Sequence, residues 1–283
     1  MNLEVLHARP AGDALEANDN RPPLLFVHGA FVGAWCWAEH FMAWFAKRGW
    51  HCCALSLRGH GESEGRKGLD RFSLADYGQD VLTVANSLGR PPVLVGHSMG
   101  GPVSLKALEL AGGGFRHKPL PAVGLALMCS PSPLGLAGSN LRMATRYPNL
   151  YWSLVRLQTM GPQAASPNVL VKAMFANPPD PKTLGRYYGQ LQAESSRAAM
   201  DLSGFGLPRP TLPAGFPIHV MGTSVDPFVA EEETKLSAQL LKGSHETLDD
   251  IGHAVMLDGG WERAATSLQN WLIQQEFAPA AVA

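Results

Sequence analysis

One short stretch of this chain constrains its fold more than any other, the serine bracketed by glycines at residues 96–100. Residues 93–95 form an apolar run that suits a buried strand, and the residues from 103 onward suit a helix. Between them lies Gly96-x-Ser98-x-Gly100. A serine on so tight a strand-to-helix turn is pushed out above the sheet, with its hydroxyl exposed. The pattern therefore predicts a nucleophilic serine, Ser98, at the carboxyl end of a sheet strand.

Apolar runs that alternate with helical patterns predict the rest of the fold. Buried-strand patterns lie at residues 24–27, 50–57, 123–128 and 218–221, and another short strand is expected near residues 244–248. Strands that alternate with helices in this way form a mostly parallel sheet with helices on both faces, an α/β fold. We also expect an antiparallel edge strand within residues 1–23, near residues 3–6, with a turn at residues 12–13.

Residues 133–213 break this alternation. Prolines separate short helical pieces there, and no strand pattern appears before residue 218. We interpret the segment as a helical cap inserted into a core made of residues 1–132 and 214–283. A segment so interrupted by proline makes a poor core of its own, which disfavours a second independent domain.

Composition excludes several classes of partner. The net charge is −1 over 283 residues with no block of like charges, so neither nucleic acid nor an anionic membrane is an expected partner. No apolar run is long enough for stable membrane insertion, and the first ten residues lack a signal-peptide pattern. The spacing of the four cysteines fits neither a zinc site nor a disulfide framework. We therefore expect reduced thiols in a cytoplasmic monomer or small homo-oligomer.

A serine hydroxyl is a poor nucleophile, and it needs a base that is itself oriented by an acid. His253 is the predicted base because it lies on a loop between the last expected strand and the last helix. Asp226 is the predicted acid because it follows the strand at residues 218–221. Asp249 and Asp250 are alternatives, which we rank lower because they lie just upstream of His253 on the same loop and suit a turn.

Three motifs together resemble proteins of the α/β-hydrolase fold: Gly96-His97-Ser98-Met99-Gly100-Gly101, His28-Gly29-Ala30 and Gly252-His253. The resemblance covers nearly the whole chain outside the cap. It implies that the cap covers the active site. The amide of Met99, at a helix N-terminus, is one expected donor to an oxyanion. The resemblance implies Ala30 as the second donor, with Phe31 as its alternative, and structural hydrogen bonding is the expected role of His28 and His60.

These features predict a serine hydrolase that cleaves a carboxylic ester of an apolar or aromatic small molecule through an acyl-enzyme. No metal-ligand spacing and no dinucleotide motif appears, so neither a metal nor a cofactor is expected. The cap is rich in methionine and aromatic residues, which favour an adaptable apolar pocket. Phe31, Trp152 and Tyr188 are the candidate substrate contacts.

Other functions remain open on the same residues. Residues 28–37 also resemble the matching loop of plant esterases and hydroxynitrile lyases, and that resemblance implies a cap lysine near the leaving cyanide, here Lys172 or Lys182. A carbon–carbon bond hydrolase, a thioesterase or an amidase would use the same triad. A small-molecule-binding protein on this fold is an alternative of a different class, and turnover of p-nitrophenyl esters distinguishes it.

Overall fold

The computed structural model describes residues 1–10, 21–112 and 120–277. The strands of these residues are β1 (Val5–Ala8), β2 (Leu24–Val27), β3 (Cys52–Leu55), β4 (Val93–His97), β5 (Gly124–Met128), β6 (Ile218–Thr223) and β7 (Ser244–Leu248). They form one sheet in the order β1-β3-β2-β4-β5-β6-β7. Strands β2 to β7 run parallel, and β1 pairs antiparallel with β3 at one edge. The predicted turn at residues 12–13 lies outside the described residues.

Helices connect the strands. They are α1 (Trp35–Ala38), α2 (Phe41–Ala46), α3 (Leu74–Ser87), α4 (Gly100–Gly112), α5 (Ala137–Arg146), α6 (Pro148–Met160), α7 (Pro167–Met174), α8 (Pro181–Gly189), α9 (Ser196–Met200), α10 (Glu231–Leu241) and α11 (Trp261–Gln274). Short 3-10 turns occur at Arg66–Arg71 and Pro162–Ala164, and a π-turn at Asp201–Phe205 follows α9.

The core lies on both faces of the sheet. Strands β2 to β5 are buried at every position, which explains their continuous apolar runs. On one face Phe26 packs with Trp37 of α1 and Phe41 of α2. On the other face Leu25 packs with Tyr77 of α3 and Val103 of α4. The predicted α/β architecture, a mostly parallel sheet with helices on both faces, is confirmed.

Helices α5 to α9 all lie between β5 and β6, where the alternation of the sequence breaks. Residues 133–213 are described throughout, and they contain no strand. Two small apolar clusters, around Met143 and Leu157, pack these helices together and also against Phe228 and Phe31 of the core. Three of the prolines begin helices rather than break them, since Pro148, Pro167 and Pro181 each stand in a first turn.

Two further expectations concern disulfide bonds and membrane-spanning segments. All four cysteines are buried and free of disulfide bonds. Across the described ranges, every helix is too short or too polar to cross a bilayer.

Candidate active site

Ser98 lies on the turn between β4 and α4 with a backbone φ of 50°. A positive φ is uncommon for a residue with a side chain and costs free energy. The flanking glycines are required because the chain packs against itself here. A Cβ on Gly96 would meet the carbonyl of Gly100, and one on Gly100 would meet the carbonyls of β2 and of His28. The glycine spacing therefore produces the strained turn that the sequence predicts.

The peptide between Ser98 and Met99 has a fixed orientation. The Ser98 carbonyl accepts hydrogen bonds from the Gly101 amide at 3.0 Å and from the Ser130 hydroxyl at 3.1 Å. In a trans peptide the N–H points away from the C=O, so the Met99 amide is directed to the opposite side. No acceptor for this amide occurs among the described residues, and Met99 lines the cavity above Ser98.

A second peptide with a fixed orientation lies in the loop after β2. The His28 Nδ1–H donates to the Gly29 carbonyl at 2.7 Å, while the Leu57 amide donates to His28 Nε2 at 3.0 Å. Burial lowers the pKa of His28 to about 3, so the ring stays neutral and keeps this tautomer. The Ala30 amide of the same peptide therefore points away from His28, and Ala30 lines the cavity. This is the structural hydrogen-bonding role predicted for His28.

His253 and Asp226 are in direct contact. The His253 Nδ1–H donates to Asp226 Oδ2 at 2.7 Å, and both side chains are buried. The other carboxylate oxygen accepts the backbone amides of Phe228 at 2.7 Å and Val229 at 3.1 Å. Because Nδ1 carries the proton, Nε2 of His253 is left as an acceptor. His253 and Ser98 line the same cavity.

The alternative acids lie elsewhere. Asp249 and Asp250 are exposed in a turn, and their backbone carbonyls accept hydrogen bonds from Arg263 at 2.7 Å and 3.2 Å. Of the three carboxylates considered, the structure places only Asp226 against His253.

Two buried side chains, His97 and Cys129, lie beside His253 and Asp226. The His97 Nε2–H donates to the His253 carbonyl at 2.8 Å, and burial lowers the pKa of His97 to about 3. Cys129, just after β5, has its Sγ within 4.8 Å of the Asp226 carboxylate, and burial raises the pKa of its thiol well above the usual range. Cys129 therefore remains a neutral thiol beside the carboxylate. Neither contact is marked by the linear sequence.

Asp258 organises the loop that carries His253, and the sequence patterns did not reveal it. Its carboxylate is fully buried and accepts the backbone amides of Ala176 at 2.8 Å, Asn177 at 3.0 Å and Gly252 at 3.1 Å. These bonds tie the residue before His253 to the segment that follows α7. In the sequence, Asp258 precedes two glycines and suits an exposed turn, so only the fold shows its role.

A cavity of about 240 Å³ lies over Ser98, between the sheet and helices α5 to α8. Its walls are largely apolar, which suits a hydrocarbon group. Asn140 of α5 adds a polar side chain that sequence reasoning missed, whereas the Tyr188 hydroxyl already donates to the Pro162 carbonyl at 2.7 Å. The apolar walls include Phe31, Leu154, Leu157, Met174, Tyr188 and Phe228.

Two of the three predicted substrate contacts lie at the cavity. Phe31 and Tyr188 line the cavity. Trp152 does not, and the structure corrects that prediction: its side chain is 60% exposed and rests against Tyr151. Helix α6 has aromatic and aliphatic residues around much of its circumference, and it turns Leu154 and Leu157 rather than Trp152 toward the cavity.

The segment after α8 attaches the helical region to the active-site loops. The Gln192 amide donates to the Phe31 carbonyl at 2.8 Å, and the Gly61 amide donates to Gln192 Oε1 at 2.8 Å. Phe31 has a φ of 67°, a strained conformation that these contacts help to hold. The residue next to Ala30 is thus fixed from outside the core.

A buried ion pair lies beside this attachment. His60 Nε2 and Glu194 Oε2 are 3.1 Å apart, and Tyr77 donates to the other carboxylate oxygen at 2.7 Å. Burial opposes the charge on His60, but the Glu194 carboxylate outweighs it and raises the pKa of the imidazole. Burial likewise opposes the charge on Glu194, and His60 and Tyr77 outweigh it and lower the pKa of the carboxyl. Each group of the pair therefore favours the charged form of the other.

This pair makes stability depend on pH. Because the His60 pKa is raised above its ordinary 6.5, its contribution is complete below about pH 6.5 and is lost as pH rises through the folded-state pKa. Because the Glu194 pKa is lowered from its ordinary 4.5, its contribution is complete above about pH 4.5 and is lost as pH falls through the folded-state pKa. We expect the His60→Gln/Glu194→Gln double variant to have a lower Tm and to lose the decline of Tm above about pH 6.5. The exposed Glu62→Gln variant should keep the wild-type profile, and parallel profiles for all three proteins would contradict this assignment.

The sheet order, the strained serine turn and the inserted helices define the α/β-hydrolase fold. A sequence profile of the alpha/beta hydrolase family matches residues 24–265, so the chain belongs to this family. Solved structures agree with this fold. An esterase from Exiguobacterium antarcticum superimposes with a TM-score of 0.69 at 16% identity over 95% of both chains. A monoacylglycerol lipase from Paleococcus ferrophilus gives a TM-score of 0.65 at 16% identity over 97% of this chain and 99% of its own.

Curated proteins match over a shorter stretch. Protein phosphatase methylesterase 1 of Bos taurus is 36% identical over 87 residues, which is 30% of this chain and 23% of that protein. The dihydrolipoyllysine-residue acetyltransferase component of the acetoin cleaving system of Pseudomonas putida is 40% identical over 90 residues, 31% of this chain and 23% of its own length. The chain spans less than a quarter of the length of these relatives.

Proposed function

We propose that this chain is a serine hydrolase that cleaves carboxylic esters of apolar or aromatic small molecules. The observation that carries the proposal is the 2.7 Å hydrogen bond from His253 to Asp226, beside Ser98 in one largely apolar cavity. Membership of the alpha/beta hydrolase family supports it. The esterase, lipase and methylesterase among the similar proteins favour an ester as the substrate.

In the proposed acylation step, Ser98 Oγ attacks the ester carbonyl carbon and His253 Nε2 takes the hydroxyl proton. The carbonyl electrons move to oxygen, and the amides of Ala30 and Met99 donate to that oxyanion. Asp226 holds the His253 Nδ1–H and stabilises the imidazolium. The intermediate then collapses to the acyl-enzyme, and His253 returns its proton to the departing alcohol.

Deacylation repeats these roles with water as the nucleophile. His253 takes a proton from water, the hydroxide attacks the acyl carbon, and the same two amides hold the second oxyanion. Collapse breaks the bond to Ser98 Oγ, which recovers its proton from His253. The carbonyls of Ser98 and Gly29 are hydrogen-bonded before substrate arrives, so their peptides need no reorientation during the reaction.

We further propose that residues 133–213 act as a cap that excludes water and binds the hydrocarbon part of the substrate. Helices α5 to α8 supply one side of the apolar wall over Ser98, including Leu154, Leu157 and Tyr188. Exclusion of water strengthens the hydrogen bonds to an oxyanion, because the effective dielectric constant falls. Asn140 is positioned to orient a polar atom of the substrate.

The lyase alternative has less support. By the resemblance, such a lyase needs a cap lysine near its leaving group. Lys172 and Lys182 are both exposed, and neither is among the described residues that line the cavity. The other alternative, a binding protein without catalysis, would not require the hydrogen-bonded pair of His253 and Asp226 beside Ser98.

Two measurements test the proposal. A panel of p-nitrophenyl esters, thioesters and amides should show turnover of the esters above all. A fluorophosphonate probe should label the protein once, and peptide mapping should place the label on Ser98. Absence of both turnover and label in the folded protein would identify it as a binding protein, and release of cyanide from a hydroxynitrile without ester turnover would favour the lyase.

The cap should control chain-length selectivity. Each methylene that the cavity buries should raise kcat/KM about fourfold, from ~0.8 kcal/mol of transfer free energy, until the cavity is full. Tyr188→Ala enlarges the cavity and should shift the optimum to longer acyl or alcohol chains. Trp152→Ala is the matched control, since this exposed aromatic lies on the same cap outside the cavity, and its profile should equal the wild-type one. A wild-type profile that is flat with chain length would argue that the core loops alone recognise the substrate.

A further inference from the structure

A second group of chemically reactive side chains lies at the β1 edge of the sheet, away from Ser98. His7 of β1, His51 just before β3, and Cys53 of β3 converge there. Cys53 Sγ lies 3.3 Å from His7 Nδ1 and 3.4 Å from His51 Nε2, and the two nitrogens are 3.4 Å apart. The three atoms therefore form a nearly equilateral triangle.

The strand register creates this cluster. His7 and Cys53 are direct partners in the antiparallel β1–β3 pair. Side chains opposite each other in such a pair lie on the same face of the sheet. His51 precedes Cys53 by two residues, so it shares that face as well. Cys52, which lies between them, points to the other face and packs in the core with Phe26.

The triangle has the dimensions of one face of a tetrahedral metal site. Bonds of about 2.0–2.1 Å to nitrogen and about 2.3 Å to sulfur, at tetrahedral angles, separate two nitrogens by about 3.4 Å and nitrogen from sulfur by about 3.6 Å. The observed separations are 3.4 Å for the nitrogens and 3.3 Å and 3.4 Å for the nitrogen–sulfur pairs. An ion therefore fits with shifts of a few tenths of an ångström at most.

Two hydrogen bonds, from the His51 Nε2–H to Cys53 Sγ and from the Cys53 S–H to His7 Nδ1, leave the 3.4 Å approach of the two nitrogens without a role. A ring nitrogen either donates its one proton or accepts through its one lone pair, and it cannot do both in the ring plane. His7 Nδ1 has two neighbours at 3.3–3.4 Å, so it serves only one of them well. A single cation at the centre accepts lone pairs from all three atoms at once.

We propose that His7, His51 and Cys53 bind a divalent transition-metal ion of the Zn²⁺ class, with a fourth position open to water. Imidazole and thiolate are the ligands that Zn²⁺ and Co²⁺ prefer, whereas Mg²⁺ and Ca²⁺ prefer oxygen. Cys53 is fully buried and His7 is exposed, so the ion can enter from the solvent side.

The coordination step exchanges a proton for the metal. Burial raises the pKa of the Cys53 thiol to about 12, so the free protein holds S–H there. The metal–sulfur bond forms as this proton leaves to solvent, and both imidazoles bind in their neutral forms. Burial, with a smaller contribution from the Arg9 guanidinium, lowers the pKa of His51 and favours its neutral imidazole, and Arg9 also favours the thiolate of Cys53.

Cobalt binding gives the most direct test. Untagged full-length protein, stripped with chelator and kept reduced, is titrated with Co²⁺, and one equivalent should produce a near-ultraviolet thiolate-to-cobalt charge-transfer band. His7→Gln and His51→Gln should each weaken binding at least about tenfold, by loss of one ligand. His40→Gln and Cys129→Ala should keep the band, because neither residue belongs to the cluster of His7, His51 and Cys53. Cys129→Ala removes the thiol beside Asp226, so a band that it keeps does not come from that thiol.

Thermal unfolding supplies a second readout. Zn²⁺ at about a hundredfold excess over its Kd should raise Tm by roughly 5 °C, because it binds only the folded β1–β3 pair. The His7 side chain is exposed, so the His7→Gln variant should fold normally, but its Tm should not respond to Zn²⁺. A folded wild-type protein without the charge-transfer band would overturn the proposal, and so would a band that survives His7→Gln with unchanged affinity. Neither result bears on ester hydrolysis, which is tested at Ser98.

Discussion

Ser98→Ala is expected to lower kcat/KM for p-nitrophenyl esters at least about 10³-fold while leaving the fold intact. The variant removes the oxygen that forms the acyl-enzyme, so only binding and the amides of Ala30 and Met99 remain to assist attack by water. The alanine side chain is smaller than serine and keeps the β-carbon that the turn already accommodates. Steady-state kinetics with active-site titration gives the comparison, and circular dichroism checks the fold.

Ser104→Ala is the matched control for this result. Ser104 lies on α4 six residues after Ser98, is fully buried, and donates to the Gly100 carbonyl at 2.7 Å. Its loss should change turnover by no more than a fewfold. Covalent labelling by the fluorophosphonate that persists in Ser98→Ala would assign the nucleophile to another residue.

Asp226→Asn should cost about 10⁴-fold in kcat, the size known for loss of the acid in such a triad. The structure gives a specific reason. Asp226 Oδ1 accepts the Phe228 and Val229 amides, so an asparagine must keep its carbonyl oxygen there and turn its NH₂ group toward His253. The NH₂ group would then donate to Nδ1, and the His253 proton would move to Nε2. His253 in that tautomer cannot take the proton of Ser98.

The other two carboxylates provide the control for Asp226. Asp249→Asn and Asp250→Asn lie in the exposed turn and should each change kcat by less than about threefold, as expected for surface substitutions. Pre-steady-state measurement of the acylation burst separates this step from product release. If Asp249→Asn or Asp250→Asn proves as severe as Asp226→Asn, the acid is wrongly assigned.

The position of Ser98 on its turn could be predicted from the sequence because the determining interactions are local. A serine between Gly96 and Gly100, after an apolar run, leaves the backbone few alternatives. The contact of Asp226 with His253 also followed from local patterns, since both residues come after strands whose carboxyl ends meet at one edge of a parallel sheet.

The orientation of Trp152 could not be predicted in the same way. Helix α6 is apolar around much of its circumference, so periodicity does not say which face it buries. Only the packing of α6 on its neighbours decides that Leu157 is buried and that Trp152 remains 60% exposed.

The sequence by itself determined the architecture of this protein and the place of Ser98 on its turn, because turn sterics and hydrophobic periodicity act over a few residues. The tertiary structure decided the rest. In the sequence Asp258 resembles a turn residue. Only the fold brings the backbone amides of the segments after α7 and β7 to its carboxylate. His7 and Cys53 are 46 residues apart, and only the β1–β3 register brings them together. Contacts of this kind depend on how distant segments pack, and no local pattern of residues encodes them.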